Sequence, residues 1–248
     1  MYLKVVISMN LLLEELKKYE KKKITSDILI GIIKTYYPHY KDTSIRWIIY
    51  ELSKKNVITK ISSQLYFIGK LKVYNPLFSN VLSKDIKKLL ETKFSDIKFV
   101  MYESTCLNEW VNHQVSRAVI FIEVEKYYMM DIFRVIQEKY MNVLFKPNQD
   151  TLYRYQGDLI VVSQLFTQAP INRQERTIKL EKLIVDFYTH DLINEFITDD
   201  EKEDVIDLMF QTYVINYKTV IAYAKRRKNE DKVISALLNL KINEGGAI

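Results

Sequence analysis

Glutamates at the predicted end of one strand are the first candidates for chemistry in this chain. In "FIEVEK" (121–126), the period-two geometry of a strand places Glu123 and Glu125 on one face, where two carboxylates could hold a divalent cation. Metal-dependent nucleases combine an acidic residue, a one-residue spacer and a lysine, so the motif requires a carboxylate two residues before the lysine. Here Val124 occupies that position before Lys126, and the motif is not matched. We favour strand-end carboxylates paired with surface Lys or Arg. A metal-dependent nuclease or nucleotide-processing enzyme is the alternative.

Two histidines are further candidates. His113 follows Glu109 closely, but such a histidine is more typically a hydrogen-bonded structural residue than a general base. Asp186 and His190 lie four residues apart on one predicted helix face, which is typical of a local polar pair. The sequence has no Gly-rich phosphate loop and no G-x-S-x-G turn. We therefore predict no catalytic residue, no metal site and no cofactor.

The residues left on the outside of "DTSIRWIIYELSKKNVITKISSQLYFIG" (42–69) indicate another chemistry, the recognition of double-stranded DNA. An arginine near the start of a helix, here Arg46, can donate two hydrogen bonds to O6 and N7 of guanine. Ser, Thr, Gln and Lys side chains suit phosphate oxygens, which position a protein on the duplex. The predicted DNA contacts are Thr43, Ser44, Arg46, Trp47, Tyr50, Lys54, Lys55, Lys60, Ser62, Ser63 and Gln64.

Three predicted helices and a hairpin position these side chains. The first two helices cover 10–23 and 25–38, each with apolar residues along one face, and Thr25 or Ser26 caps the second. Pro38 ends the second helix, because the residue before a proline is restricted to extended conformations. Both helices therefore have a side to bury and a side to leave in solvent.

The third helix begins at Asp42 or Thr43, either of which can act as its cap. Two short β-branched and aromatic runs, Val57–Ile61 and Leu65–Ile68, then flank a polar turn and predict a hairpin. The buried stripe of the third helix has i, i+3, i+4, i+7 spacing and consists of Ile45, Ile48, Ile49 and Leu52.

Three helices followed by a hairpin predict a winged helix-turn-helix domain. Its third helix would enter the major groove, and the hairpin would lie beside the backbone as the wing. The alternative is a small helical domain for protein docking, with Trp47 and Tyr50 as anchors at the interface.

The distribution of charge favours DNA. Residues 1–75 carry 14 Lys and Arg against 6 Asp and Glu, a net charge of +8. Residues 76–248 carry 23 against 25, a net charge of −2, and the two sum to the +6 of the chain. A basic segment joined to a near-neutral one indicates that the first part meets a polyanion, although a basic surface can also serve solubility.

The segment after the predicted linker 72–80 alternates between helices and strands, and only helices follow residue 170. This pattern predicts an α+β protein: a winged helix-turn-helix domain over 1–75, then a mixed α/β domain with a helical C-terminal subdomain over 76–248. The predicted strands are 96–104, 118–126, 142–147 and 158–166, and the predicted helices are 83–94, 107–114, 127–140, 176–193, 199–215, 216–227 and 230–238.

Composition limits the cellular compartments in which the protein can function. A single cysteine, Cys106, excludes an intramolecular disulfide and a Cys-rich zinc site, and suits a reducing compartment. The longest apolar run near the start, "VVISMNLLLEEL", is too short to span a membrane and lacks the cleavage site of a signal peptide. We therefore expect a soluble, cytoplasmic protein without a membrane partner.

Several motifs of the second segment resemble one known family. "YESTCLNEWVNHQ", "FIEVEK", "LEKLIVDFYTHD" and "YVINYKTVIAYAKRR", spread over residues 94–230, are similar to AbiEi-like antitoxins of the AbiE-type, type IV toxin–antitoxin systems. The resemblance implies a transcriptional repressor that binds inverted repeats near its own promoter through a winged helix, with two copies on the DNA. It further implies that the C-terminal domain helps to neutralise a nucleotidyltransferase-like toxin, without a stable complex.

If the resemblance to AbiEi-like antitoxins holds, the end of "YAKRR" forms a second basic patch. Lys225, Arg226 and Arg227 either touch DNA phosphates beside the main site or simply favour the C-terminus of a helix.

Overall fold

The computed structural model describes residues 2–115, 117–152 and 154–239. These residues form two compact units. The first comprises residues 2–73 together with 209–217 and 238–239, and the second comprises residues 74–208 and 218–237. The boundary thus lies next to the predicted one at 75/76. Unlike the predicted domain, however, the second unit is not continuous, because Met209–Tyr217 belongs to the first.

The first unit contains three helices and a three-stranded sheet. All strand pairs are antiparallel, and β3 lies between β1 and β2. The hairpin predicted after the third helix is present as β2 and β3, whereas β1 was not predicted. The elements are α1 (Tyr2–Lys17), β1 (Lys23–Thr25), α2 (Ser26–Tyr36), α3 (Asp42–Lys54), β2 (Ile58–Lys60) and β3 (Leu65–Ile68).

The ends of α2 and α3 are set by local hydrogen bonds. The Thr25 hydroxyl accepts a bond from the backbone N–H of Ile28, as the predicted N-cap should. At the start of α3 the prediction was wrong: Lys41 is the cap residue, and its side chain makes no capping bond. At the other end Asn56 adopts φ 56°, the left-handed conformation that asparagine tolerates. The N–H of Val57 then donates to the carbonyl of Leu52 at 2.9 Å, which ends α3 and turns the chain into β2.

The hydrophobic core of the first unit lies between the helices and one face of the sheet. Three of the four residues in the stripe predicted for α3 are buried, since Ile45, Ile48 and Leu52 are each 1% exposed, while Ile49 is half-buried against the same core. They join buried residues of the other elements, which are Leu12, Leu16, Ile24, Leu29, Ile33, Tyr37, Ile58, Tyr66 and Ile68. Because one side of α3 is fixed in this core, its opposite side must face outward.

The segment Met209–Tyr217 completes the first unit behind the hairpin. The N–H of Lys72 donates to the carbonyl of Thr212, and the N–H of Val214 donates to the carbonyl of Lys72, both at 2.9 Å. Val214 and Tyr217 pack against a small apolar cluster, which consists of Ile61, Phe67 and Leu71. The hairpin is therefore supported from a distant part of the sequence.

The second unit is built around a four-stranded mixed sheet with helices on both faces. Its strands are β4 (Phe99–Glu103), β5 (Val119–Val124), β6 (Val143–Phe145) and β7 (Leu159–Gln164), and a separate two-stranded pair consists of β8 (Ile171–Asn172) and β9 (Thr177–Ile178). The helices after α3 are α4 (Val81–Lys93), α5 (Met129–Gln137), α6 (Gln149–Leu152), α7 (Leu180–Asp186), α8 (Asp191–Asn194), α9 (Asp199–Thr212), α10 (Tyr217–Arg226) and α11 (Glu230–Asn239). They belong to the second unit except for residues 209–212 of α9, Tyr217 of α10 and residues 238–239 of α11, which belong to the first.

The strand order β4-β5-β7-β6 gives the sheet two different faces. The strands β5, β6 and β7 are parallel, while β4 is antiparallel to β5. One face is wholly apolar and packs against α4 and α5 through residues such as Ile122, Val162 and Ile132. The opposite face carries Glu123 on β5, directly across from Ser163 on β7. Helices and strands are thus mixed as the predicted α+β class requires.

Two helix predictions in this unit were wrong. Residues 107–114 do not form an α-helix; a 3₁₀ helix runs over Ser104–Glu109 instead. The predicted helix 176–193 is divided into β9, α7 and α8. Its apolar stripe was nevertheless assigned correctly, because Leu180, Leu183, Ile184 and Phe187 are all buried. In the part of the chain that the structure describes, no helix is long and apolar enough to cross a membrane.

Candidate nucleic-acid interface

The outward side of α3 is the most distinctive surface of the first unit. Trp47 and Tyr50, three residues apart on this helix, are 58% and 60% exposed, and Arg46 beside them is also exposed. Large aromatic side chains are seldom left in solvent without a partner, because burying them releases hydrophobic free energy. Among the described residues, none forms a ring contact, hydrogen bond or ion pair with any of these three side chains.

The other predicted contacts of α3 lie at its two ends. Thr43 is exposed in the first turn and Ser44 is half-buried there, while Lys54 and Lys55 are exposed at the C-terminal end. The structure therefore brings the predicted residues of α3 to one surface, with hydroxyls at the start and two ammonium groups at the end. Exposed Lys41, which directly precedes the helix, is a cation that the prediction did not include.

The turn of the hairpin carries the remaining predicted contacts. Lys60, Ser63 and Gln64 are exposed, while Ser62 is half-buried and its Oγ accepts a bond from the backbone N–H of Gln64 at 3.2 Å. Thr59 fixes the base of the hairpin: its hydroxyl donates to the carbonyl of Gly69 at 2.7 Å. The turn is thus polar, and a side-chain hydrogen bond joins the two ends of the hairpin.

A second group of polar residues lies buried in the other unit, and we call Tyr102, Glu123, Lys182, Asp186 and Arg227 the buried polar cluster. Oε1 of Glu123 accepts a hydrogen bond from the Tyr102 hydroxyl at 2.9 Å and another from Nζ of Lys182 at 2.6 Å. Lys182 also donates to Asp186, whose second oxygen accepts from Arg227 at 3.1 Å. Two cations and two carboxylates therefore balance each other within the cluster.

Burial and charge act against each other on the groups of this cluster. Burial alone would lower the pKa of Lys182, but the carboxylates of Asp186 and Glu123 outweigh it and raise that pKa above its ordinary value. Burial, reinforced by the charge of Glu123, raises the pKa of Tyr102 well above its ordinary value. Lys182 is therefore charged and Tyr102 is neutral at physiological pH, which suits a closed ionic network.

The predicted basic patch near the end of the chain is not a continuous surface. Arg227 belongs to the buried polar cluster: its side chain is 7% exposed, and its guanidinium lies 3.9 Å from the centroid of the Phe166 ring. Of the two roles predicted for the triplet, contact with DNA phosphates is therefore not open to the Arg227 side chain, which is engaged inside the protein. Lys225 and Arg226 are exposed, and Nε of Arg226 donates to the Thr167 hydroxyl at 2.8 Å.

The glutamates considered for a metal site are separated. Glu123 is 2% exposed and engaged in the buried polar cluster, whereas Glu125 is exposed and follows the end of β5. The shared strand face expected for them does not form, because β5 ends between the two residues. Across the described residues, no group of three His, Cys, Asp or Glu side chains is placed to hold a metal ion.

The two histidine candidates also take different places. His113 is 53% exposed at its side chain, and its Nδ1 lies 3.7 Å from Oε1 of Glu201. His190 packs edge-on against Phe121 with ring centroids 5.7 Å apart, and burial lowers its pKa. The predicted side-chain pair with Asp186 does not form; only the backbone N–H of His190 reaches the Asp186 carbonyl, at 2.9 Å.

Comparison with known proteins adds a family without an assigned activity. Residues 44–243 match the family model described as "Family of unknown function (DUF6577)". No curated protein matches the chain. Among solved structures, the crystal structure of the RV2827C protein from Mycobacterium tuberculosis is 10% identical, with 88% of this chain and 76% of that chain covered and a TM-score of 0.20. A TM-score of that size does not indicate a shared fold.

Proposed function

The chain belongs to DUF6577, a family of unknown function, and we propose that it is a sequence-specific, double-stranded-DNA-binding transcriptional repressor of the antitoxin type. In this proposal the first unit is a winged helix-turn-helix domain that binds operator repeats near its own promoter. Its third helix enters the major groove, and its hairpin lies along the backbone.

The order of elements supports the winged-helix assignment. Helix, strand, two helices and a hairpin follow one another, and the short strand β1 pairs with β3 at the edge of the sheet. In this arrangement α3 is held by its buried stripe against the other helices, so it can offer its outward side to a duplex. The turn between β2 and β3, with Lys60 and Gln64 exposed, provides the wing.

The single observation that carries the proposal is the outward side of α3. Arg46, Trp47 and Tyr50 are exposed there without a partner among the described residues, on a segment with a net charge of +8. Arg46 can donate two hydrogen bonds to a guanine, and the lysines at the end of α3 can neutralise phosphates.

The antitoxin part of the proposal comes from the resemblance of the second segment to AbiEi-like proteins. In it, the second unit helps to counteract a nucleotidyltransferase-like toxin without forming a stable complex. The buried polar cluster serves this unit as a structural element, because its charges are internally compensated. The predicted residues Lys225 and Arg226 stay available for phosphates, while Arg227 does not.

A gel-shift titration of the full chain tests the proposal. We expect retardation of the DNA upstream of its own gene at low salt, with an affinity that falls steeply as salt rises, because each neutralised phosphate releases counterions. Unrelated DNA of the same length should bind more weakly. If the upstream DNA is not retarded at any salt concentration, the proposal is wrong.

A matched pair of variants identifies the surface. Lys54→Ala, at the end of α3, should weaken binding, while Lys88→Ala, an exposed lysine of α4 in the other unit, should not. Equal effects of the two substitutions would contradict the assignment of α3.

A separate experiment tests the antitoxin part of the proposal. Co-expression of this chain with a nucleotidyltransferase-like toxin from the neighbouring reading frame should restore growth if that part is correct.

A further inference from the structure

The exposed aromatic pair of α3 is not explained by general DNA binding. Contacts to phosphates use hydrogen-bond donors and are strengthened by positive charge, and Lys54, Lys55 and Lys60 supply both. Trp47 and Tyr50 add instead two large apolar surfaces, more than half exposed, at the centre of the same helix. Each of these side chains ends in a hydrogen-bond donor that could reach a phosphate, but most of its exposed area is an apolar ring, which a phosphate does not bind.

The chemistry of the major groove offers one apolar group. Each base pair presents hydrogen-bond donors and acceptors there, and only thymine adds a methyl group, at its C5 position. An aromatic ring that covers this methyl group removes apolar area of both the ring and the methyl group from water. Cytosine at the same place presents a bare C5–H, so the ring loses the contact with the methyl group.

The spacing of the pair fixes which thymines can be read. Three residues of an α-helix advance by about 4.5 Å along its axis. Successive base pairs are about 3.4 Å apart along the duplex. On a helix that lies along the groove, the two side chains would therefore come within reach of neighbouring base pairs, and Arg46, adjacent to Trp47 in sequence, within reach of a base pair beside them.

We propose that Trp47 and Tyr50 read the methyl groups of thymines at neighbouring base pairs, next to a guanine bound by Arg46. This inference rests on the proposed function, because it names which duplex the outward side of α3 prefers. The surrounding charge favours DNA over a protein partner on this surface, since exposed cations flank the aromatic pair on α3 and the wing.

Replacing thymine by uracil isolates the methyl group, because uracil pairs identically and lacks only that group. The full chain first selects its preferred duplex from a random library, and each thymine of the selected site is then replaced singly by uracil. We expect thymine at two neighbouring positions. Uracil there should raise Kd about fourfold each, the effect of losing one buried methyl-sized group. Uracil elsewhere should leave Kd unchanged.

Variants connect each methyl group to one side chain. In Trp47→Ala, uracil at one of the two positions should have no further effect, and Tyr50→Ala should do the same for the other. Tyr50→Phe is the matched control, because it keeps the ring and should keep the sensitivity. Both side chains are exposed, so these variants should fold like the original protein, which circular dichroism checks.

The outcomes separate the two proposals. If a selected duplex binds tightly but uracil has no effect at any position, this inference is wrong and the proposed function stands. The inference is also wrong if Trp47→Ala and Tyr50→Ala leave the uracil effects intact. If the library yields no bound duplex, the proposed function fails and takes the inference with it.

Discussion

Nζ of Lys182 lies 2.6 Å from Oε1 of Glu123, and the two side chains are 0% and 2% exposed. The same ammonium group also binds Asp186, which is likewise fully buried. A charge in such a place is tolerated only while its counter-charges are present, because its transfer from water costs several kcal/mol. The pair therefore makes the stability of the second unit sensitive to single substitutions.

Lys182→Met should destabilise the protein by about 3–5 kcal/mol, because it leaves two buried carboxylates without their shared cation. Denaturant unfolding followed by circular dichroism measures the change. Lys18→Met is the control: Lys18 pairs with Glu15 at 2.6 Å, but its side chain is 69% exposed, so solvent replaces the partner. Equal effects of the two substitutions would show that burial does not decide the strength of these pairs.

Glu103 should give the protein a stability that depends on acid pH. Its carboxylate is 2% exposed and accepts hydrogen bonds from the Ser79 hydroxyl at 2.7 Å, the Thr105 hydroxyl at 2.9 Å and the Asn80 N–H at 3.2 Å. Burial opposes ionisation, but these bonds outweigh it and lower the pKa of Glu103 below its ordinary value of 4.5. A carboxyl group whose pKa is lower in the folded than in the unfolded protein stabilises the folded state at pH values above the unfolded-state pKa. This stabilisation is lost as the pH falls through the folded-state pKa.

Glu103→Gln should therefore lower the free energy of unfolding by about 1–3 kcal/mol at pH 7, and the difference from the original protein should shrink below pH 4.5. Unfolding titrations at pH 7, 5 and 4 measure it. Glu138→Gln changes an exposed glutamate and should have little effect at any of these values. A difference that stays constant down to pH 4 would rule out the ionised carboxylate as its cause.

Cys106 should be unreactive in the folded protein. Burial raises the pKa of its thiol to about 12, so little of the reactive thiolate exists at pH 8. We expect a disulfide reagent such as dithionitrobenzoate to label the folded chain slowly and the guanidinium-unfolded chain at once. Cys106 is the single cysteine of the sequence, so the absorbance change reports this residue alone. Rapid labelling before unfolding would contradict the predicted protection.

Two substitutions in the first unit should affect DNA binding differently. Arg46→Ala should cost about 1–3 kcal/mol at the preferred duplex and relax the choice of base there. Lys60→Ala should weaken all duplexes about equally and reduce the salt slope by about one. Fluorescence anisotropy at several salt concentrations distinguishes them. If Arg46→Ala weakened random and preferred DNA equally, Arg46 would contact phosphate rather than a base.

The sequence pattern predicted the elements whose signal is local. The buried stripe of α3 follows from the spacing of Ile45, Ile48 and Leu52, and the Thr25 cap follows from its position before an apolar run. Orientation comes with such a stripe, so the exposure of Trp47 and Tyr50 was predictable too. For α4 and the strands of the mixed sheet, apolar periodicity gave boundaries close to the observed ones.

The features that depend on distant partners were not predictable. The strand β1 has only three residues, and it is a strand because Ile24 pairs with Tyr66 far along the chain. Arg227 and Lys225 look alike in sequence, yet only Arg227 meets a buried carboxylate, that of Asp186. Glu123 and Lys182 are 59 residues apart, so no local pattern connects them.

The inclusion of Met209–Tyr217 in the first unit has a consequence during protein synthesis. The hairpin that we assign to the wing rests on Val214 and Tyr217, which leave the ribosome only after nearly all of the other unit has been made. A chain interrupted before that point lacks the support of its own hairpin, so under the proposed function a truncated product should bind DNA poorly. If the proposed function holds, DNA occupancy would report chains that include Met209–Tyr217 rather than shorter fragments.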